Sequence, residues 1–490
     1  MSAASTLAAP APAVPPDAPR TTDAVIVGGS VAALVAADAL GAQGRPVRLL
    51  LPARGVGGGF APIRREGRVL ELGVRLLELG FEGAGPAPPL QDYRPGIGAH
   101  RPWAATVDRW VRDLFGDALR PIAPPEMLVG GRRVPDVLFS VDLVGLAATL
   151  PDDLRRTMLA EVRAARADLG DDAGLLAPRH AARLATATLH EASIAQHGAA
   201  FHRRYVAALA DKVLSGGARA VSAPLRRKAW APMFHPRTLE QALAGEPIDF
   251  RPSRPMHVVD TRSGGLVDRL LARIAARPTV RTTTVGELVG LAPAADDGTV
   301  LTFADGPPLR ARRPLIACGA ETVFAAAGVP YGVARVRTAI AWLESDAVVA
   351  AAVPDLLHDL DPGSPLLRVT RGGHAAVPER ALLTVELRHD AAGEARTPAD
   401  AEVVLAATAA GALRDSGLVP ANAALRPVAA AARRTFAVPS PGLQAAHAAA
   451  LAALEDRGMH LDLAAGALSP VADTLNDQVV QGLRAAGRTT

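Results

Sequence analysis

Residues 23–59 read DAVIVGGSVAALVAADALGAQGRPVRLLLPARGVGGG, and no other stretch limits the fold as tightly. An apolar, β-rich run from Ala24 to Val27 enters the turn Gly28-Gly29-Ser30. An alanine-rich helical stretch follows, and a second apolar run from Val47 to Leu51 completes a strand–helix–strand unit. The turn has the spacing of G-x-G-x-x-G, in which backbone N–H groups at the positive end of a helix take an anionic pyrophosphate. Its three glycine positions hold Gly28, Ser30 and Ala33. The acidic residue expected about 20 residues later, at the end of the second strand, is replaced by Leu51. The unit is that of a dinucleotide-binding half with an altered turn.

The chain has 490 residues, and single cores stop growing near about 250–300 residues, so two domains or one domain with a large insertion are expected. The pI of 9.8 suggests a nucleic-acid binder, yet the net charge is only +4. The lysines are Lys212 and Lys228 alone, and arginine does not titrate below about pH 12, which inflates the pI. The arginine pairs Arg64-Arg65, Arg312-Arg313 and Arg433-Arg434 have few aromatics between them, which argues against a base-stacking surface. The single cysteine, Cys318, excludes an intramolecular disulfide framework and a thiolate zinc site, and reads as a buried inert thiol at a strand end. No run reaches the roughly 18 apolar residues needed to span a bilayer. The Ala/Pro-rich start lacks the n- and h-regions of a signal peptide, so the reading is of a cytoplasmic protein.

The pattern predicts six segments. Residues 1–22 read as a disordered leader. Segments 23–85, 251–335 and 441–490 read as three visits to a Rossmann-like cofactor domain. Segments 86–250 and 336–440 read as two visits to an interleaved α+β substrate domain, the first mainly helical. A hairpin is expected to turn at Glu66-Gly67, and another at Gly130-Gly131 followed by the start of a helix near Val141. Leu143 to Leu214 is strongly helical, starting at Pro151-Asp152-Asp153 and stopping at Gly216-Gly217. His257 to Val259 reads as a strand resuming the first domain, and a final helix covers Asn476 to Ala486.

The order of these pieces resembles the flavoprotein superfamily that contains amine oxidases, protoporphyrinogen oxidase, phytoene desaturases and UDP-galactopyranose mutase. The matching runs are the first βαβ unit, VGGG at Val56 to Gly59, RVLELG at Arg68 to Gly73 and RKAWAPMFHPRTL at Arg227 to Leu239. SGGLVDRL at Ser263 to Leu270, TTV at Thr283 to Val285 and the C-terminal G-A-L…N-D-Q-V-V-Q-G-L at Gly466 to Leu483 extend the match. The resemblance implies FAD as cofactor and a small-molecule substrate, with a homo-oligomer or a partner subunit as further options. It implies that Gly28, with Ser30 and Ala33, meets the pyrophosphate, that Gly57 and Gly58 pass near the flavin, and that the backbone at Val285 meets adenine. It also implies that Gly466, Asn476 and Asp477 meet the ribityl or pyrimidine end. Ala467 stands where an acidic residue often follows the C-terminal glycine.

The activity so implied is oxidation of a small metabolite by hydride transfer to flavin. The alternatives are a cofactor-free pseudoenzyme or accessory subunit of the same fold, and a non-redox flavin mutase. Mutase relatives carry a histidine where Arg75 stands here; Arg75, Trp230 and His235 are the candidates for the substrate side. Gly28-Gly29-Ser30-Val31-Ala32 also imitates a nucleophile elbow, but that turn belongs after several earlier strands and here follows the first. Neither lysine lies in a glycine-rich phosphate context that a pyridoxal enzyme needs, and no H-E-x-x-H metal motif is present.

Overall fold

The structure is a computed structural model and describes residues 23–72, 76–79, 87–96, 98–169, 178–248, 255–295, 297–372, 379–393, 395 and 397–488. The proposed leader and Arg75 lie outside the described residues. Strand β1 (Ala24–Val27), helix α1 (Val31–Ala42) and strand β2 (Val47–Pro52) form the expected unit, with Ala24 opposite Val47 and Val27 opposite Leu50. They sit in a five-stranded parallel sheet ordered Val280–Val285, β2, β1, Leu315–Ile316, Asp462–Leu463. Three distant parts of the sequence therefore build one sheet. Gly28 has φ +119°, and a β carbon there would lie 2.5 Å from the Ala317 carbonyl oxygen. The exit of the neighbouring strand therefore requires glycine.

Helix α1 is buried on almost every side, which its alanine-rich composition allows by letting neighbours approach closely. Its one buried charge, Asp38, is held by Arg273 (2.8 Å) and Arg277 (2.9 Å). The C-terminal helix Leu475–Arg488 packs across α1 at Gly482, where a β carbon would lie 2.7 Å from both the Ala32 oxygen and Val35 Cβ.

A second, seven-stranded sheet is ordered Arg426–Ala437, Arg335–Asp346, Arg380–Leu387, Leu366–Arg371, Leu356–Asp359, Glu126–Val129, Arg132–Pro135. Helix Pro398–Asp415 packs on one face through Leu405, Ala409 and Leu413. The helical block, from Asp152–Leu169 to Pro236–Ala244, packs against Met127, Val336, Leu360 and Leu367. Between the two domains, Arg68 on the hairpin strand Arg68–Leu70 forms a buried ion pair of 2.7 Å with Glu344 of the large sheet. Arg426 bridges Glu344 and Glu66 at 3.1 Å each.

The hairpins turn where the sequence indicated, at Glu66-Gly67 and at Gly130-Gly131. Two expectations change. No helix starts after Pro135, because Asp136 Oδ1 takes the N–H groups of Phe139 (2.7 Å) and Ser140 (2.8 Å) in a side-chain turn, and Val141 has φ +57°. Strand Met256–Val259 does not rejoin the parallel sheet; it pairs with Leu77–Glu78 and Leu119–Pro121 in a separate three-stranded sheet. Among the described residues no helix is long and apolar enough to cross a membrane.

Two predictions follow from this packing. Gly482→Ala should lower the urea midpoint, by about 1–3 kcal/mol of overpacking. Gly411→Ala, in helix Pro398–Asp415 with nothing within 4 Å of a β carbon, should gain about 0.5–1 kcal/mol. Inside the helical lobe, His197 Nε2 accepts the Phe234 N–H (2.9 Å), and burial pushes its pKa from 6.5 to about 3. His202, beside His190, falls to about 4, first through burial. Both are neutral bases when folded, so their stabilisation is complete above pH 6.5 and is lost as pH falls from there through the folded values. For His197 alone the slope is about 1.4 kcal/mol per pH unit. Denaturant midpoints across pH 7 to 4 should fall, and His197→Gln should flatten the fall.

Candidate functional site

The carboxyl ends of β1, of Leu315–Ile316 and of Asp462–Leu463 lie side by side, which is where open parallel sheets bind ligands. Gly28 to Ser30 leave the first of these ends. Ser30 is extended and caps α1, its Oγ accepting the Ala33 N–H at 3.3 Å. The neighbouring Ala32 N–H is taken at 3.3 Å by Oε1 of Gln478, from the C-terminal helix. Gln478 is 5% exposed, and its Nε2 donates to the Asp473 carbonyl at 3.0 Å. Gly57 donates to the Gly29 carbonyl at 2.6 Å, which lays the Val56-Gly57-Gly58 run along the turn. Gly57 has φ +114° and no room for a β carbon, while Gly58 and Gly59 are open to solvent.

At the third strand end, Ala465 adopts φ +55°, an uncommon left-handed value for a residue with a β carbon. Its N–H is fixed at 2.6 Å by Oε1 of Gln481, whose Nε2 donates to the Ala472 carbonyl (2.7 Å) and the Tyr93 hydroxyl (3.3 Å). Gly466 follows, half-buried, beside Gly319 and Ala320. Asp477 is fully buried: Oδ2 accepts from the Thr474 hydroxyl (2.7 Å), and Oδ1 faces the Tyr93 hydroxyl (3.4 Å) and His100 Nδ1 (3.3 Å). Burial, reinforced by Asp477, holds the Tyr93 phenol well above its ordinary range, so Tyr93 stays a neutral donor. Asn476 is half-buried in the first turn of the same helix. Val285 ends the outer strand, its carbonyl accepting the Ala53 N–H at 3.0 Å. Leu51 is packed in the apolar core. Cys318 lies behind Gly28 with its thiol directed at the Val27 carbonyl (3.7 Å), and burial pushes it up to about 12.

On the substrate side, Trp230 holds a left-handed backbone (φ +56°) with the Arg368 guanidinium 5.0 Å from its ring centroid and Phe436 edge-on at 5.9 Å. Lys228, two residues earlier, pairs with Asp473 and lies 5.3 Å from the Phe436 ring centroid. His235 serves locally, its Nδ1 accepting the Arg237 N–H at 3.2 Å to cap helix Pro236–Ala244. A cavity of about 30 Å³ between the two domains, bordered by Glu71, Thr261, Trp342, Thr370 and Thr384, has room for one water. A larger concavity of about 480 Å³ is lined by Glu321, Arg335, Arg434 and the 332–334 backbone. Among the described residues no three His, Cys, Asp or Glu side chains could hold a metal ion.

The structure thus brings Gly28, Ser30, Ala33, Gly57 and Gly58 together. It places Gly466 at the next strand ends and links Asp477 to them through Tyr93 and Gln481. Val285 sits on the outer strand beside the end of β2, and Trp230 lies two residues from Lys228, which pairs with Asp473. Sequence reasoning missed Gln478, Gln481, Lys228 and Asp473 as parts of the seat. The signal was the three-residue spacing of the two glutamines, which puts them on neighbouring positions of one helix face.

No protein-family model and no curated protein matches the chain. Solved structures do match over nearly its whole length. A reduced UDP-galactopyranose mutase is 14% identical, with 96% of this chain and 95% of that one covered and a TM-score of 0.69. A protein described as a protoporphyrinogen oxidase from Exiguobacterium sp. 255-15 is 14% identical, with 96% and 99% covered and a TM-score of 0.60. Cyclohexylamine oxidase from Brevibacterium oxydans IH-35A is 17% identical, with 95% and 98% covered and a TM-score of 0.58. The chain has the fold of the flavoprotein superfamily that its motifs resemble. Removing the helix cap by Ser30→Ala should cost about 1 kcal/mol in denaturant titration, and Tyr93→Phe about 0.5–1.5 kcal/mol through its lost hydrogen bonds.

Proposed function

We propose that this chain is an FAD-dependent oxidoreductase of the amine oxidase and protoporphyrinogen oxidase type, acting on a small molecule. The observation that supports this reading is the convergence of three distant segments, at Gly28, Gly57-Gly58 and Ala465-Gly466, on adjoining strand ends within a fold shared with such enzymes.

The backbone of the seat fits the cofactor. Gly28 lets the turn pass close to the next strand, and Gly58 and Gly59 leave an open edge. Ser30 Oγ and Gln478 Oε1, both on rotatable side chains, stand on the amides a pyrophosphate would use. Ser30 and the Val31 to Ala33 backbone would then hold the phosphates, Val285 the adenine side and Asn476 the ring end. Bound FAD supplies a hydride acceptor, and the protein's part is to orient the substrate and exclude water. The missing carboxylate at Leu51 removes a charge-assisted contact of about 1.5–3 kcal/mol, so affinity falls about tenfold to a hundredfold against a chain that has it.

Two features favour a second reading, a cofactor-free accessory relative: Leu51 is buried in the core, and the Ala32 and Ala33 amides are already bonded. One spectroscopic experiment separates the two. The purified chain is mixed with excess FAD, and its near-ultraviolet and visible bands are recorded before and after anaerobic addition of candidate amines. The oxidoreductase reading predicts a perturbed flavin spectrum that bleaches with one class of substrate. An unperturbed FAD spectrum at the highest concentrations contradicts it and leaves the cofactor-free reading.

A further inference from the structure

We propose that Gln478 is an internal occupant of the phosphate position in the dinucleotide seat, held there by a latch that runs to the substrate domain. Its cofactor arm rests on the FAD reading above; its structural arm does not.

The geometry forms one continuous path. The Gln478 carboxamide oxygen lies 3.3 Å from the Ala32 nitrogen, on a first-turn amide that has no partner within its own helix. A carboxamide oxygen carries partial negative charge, so the positive helix end favours it where it would favour a phosphate oxygen. The same side chain donates from Nε2 to the Asp473 carbonyl, so both of its ends are fixed. The Asp473 carboxylate is in turn paired with Lys228 Nζ, whose side chain is only 8% exposed. Lys228 belongs to the turn Ala223–Ala229, within the helical block and just before Trp230. Lys228, Asp473, Gln478 and Ala32 therefore connect the substrate domain to the first turn of α1 in three contacts.

The placement of Gln478 is not incidental to helix packing. Gly482 lies one helical turn further on, against the Ala32 oxygen, so Gln478 is delivered to the amide of the same residue whose carbonyl fixes the helix crossing. At 5% exposure the carboxamide leaves the Ala32 amide closed to a ligand unless the side chain rotates away. The Lys228 pair fixes the Asp473 side chain, and Gln478 is held by the Asp473 backbone carbonyl, so release of Lys228 frees the segment that holds the carboxamide. The amide is thereby coupled to the region that would contact substrate.

The full-length chain is titrated with FAD by flavin fluorescence, as wild type, Gln478→Ala, Gln478→Glu and Lys228→Met, each checked for an unchanged far-ultraviolet spectrum. Hydrogen exchange of the peptide containing Ala32 is followed in parallel without FAD. The proposal predicts FAD affinity at least tenfold higher in Gln478→Ala and about threefold higher in Lys228→Met. In Gln478→Glu, which keeps the size and repels phosphate, binding should be lost. It also predicts exchange at least tenfold faster in Gln478→Ala. Unchanged exchange, or FAD binding that is as tight in wild type as in Gln478→Ala, overturns the proposal. Faster exchange with no FAD bound by any variant supports the latch and overturns the FAD reading instead.

Discussion

The contact on which the site depends is the crossing of the C-terminal helix over α1. A β carbon at Gly482 has no room beside the Ala32 oxygen and Val35, so the two helices meet backbone to side chain at the closest distance the fold permits. Alanine along α1 makes this approach possible, and burial of α1 on almost all sides makes it fixed. From that crossing the rest of the seat follows. One turn before Gly482, Gln478 meets the open amide of Ala32; one residue before it, Gln481 meets Ala465 and secures its left-handed turn. Asp477 turns away from both and anchors Tyr93 and His100 beneath the helix.

The two domains are joined by charge as well as by apolar packing. Arg68 and Glu344 pair in the interior, with Arg426 and Glu66 extending the network to the surface. Desolvation offsets much of the attraction in such a pair, whereas replacing one partner leaves an uncompensated buried charge and is destabilising. Lys228 and Asp473 make a second link, and this one ends at the seat itself. The domain that carries the seven-stranded sheet and the helical block is thus held at two points, one of them beside the glycine turn.

The sequence disclosed what is local and repetitive. The strand–helix–strand unit, the hairpins at Glu66-Gly67 and Gly130-Gly131, and the helical block with its Pro151-Asp152-Asp153 start are all written in neighbouring residues, so periodicity and turn chemistry reveal them. The ordered motifs carried the fold as well. What depends on which bond a side chain makes, or on distant partners, was hidden. The helix start expected after the Gly130-Gly131 hairpin is replaced by a bend, in which the Asp136 carboxylate takes the N–H groups of Phe139 and Ser140. The strand at Met256 has an ordinary pattern, and only its partners at Leu77 and Leu119 reveal a separate sheet. Gly28 occupies the first glycine position of the motif, and its conformation is demanded by the Ala317 carbonyl. His235, a candidate for the substrate side, also caps a helix through Nδ1. Ser30 and Leu51 were legible as departures from the motif; that Gln478 meets the Ala32 amide was not, because 446 residues separate the two.

The account turns on what stands at the Ala32 amide. A crystal structure of the chain purified without added nucleotide addresses this directly. The account predicts the Gln478 carboxamide oxygen within hydrogen-bonding distance of the Ala32 nitrogen, with Lys228 on Asp473. A nucleotide-free chain in which the Ala32 amide stands open and Gln478 lies elsewhere would contradict it.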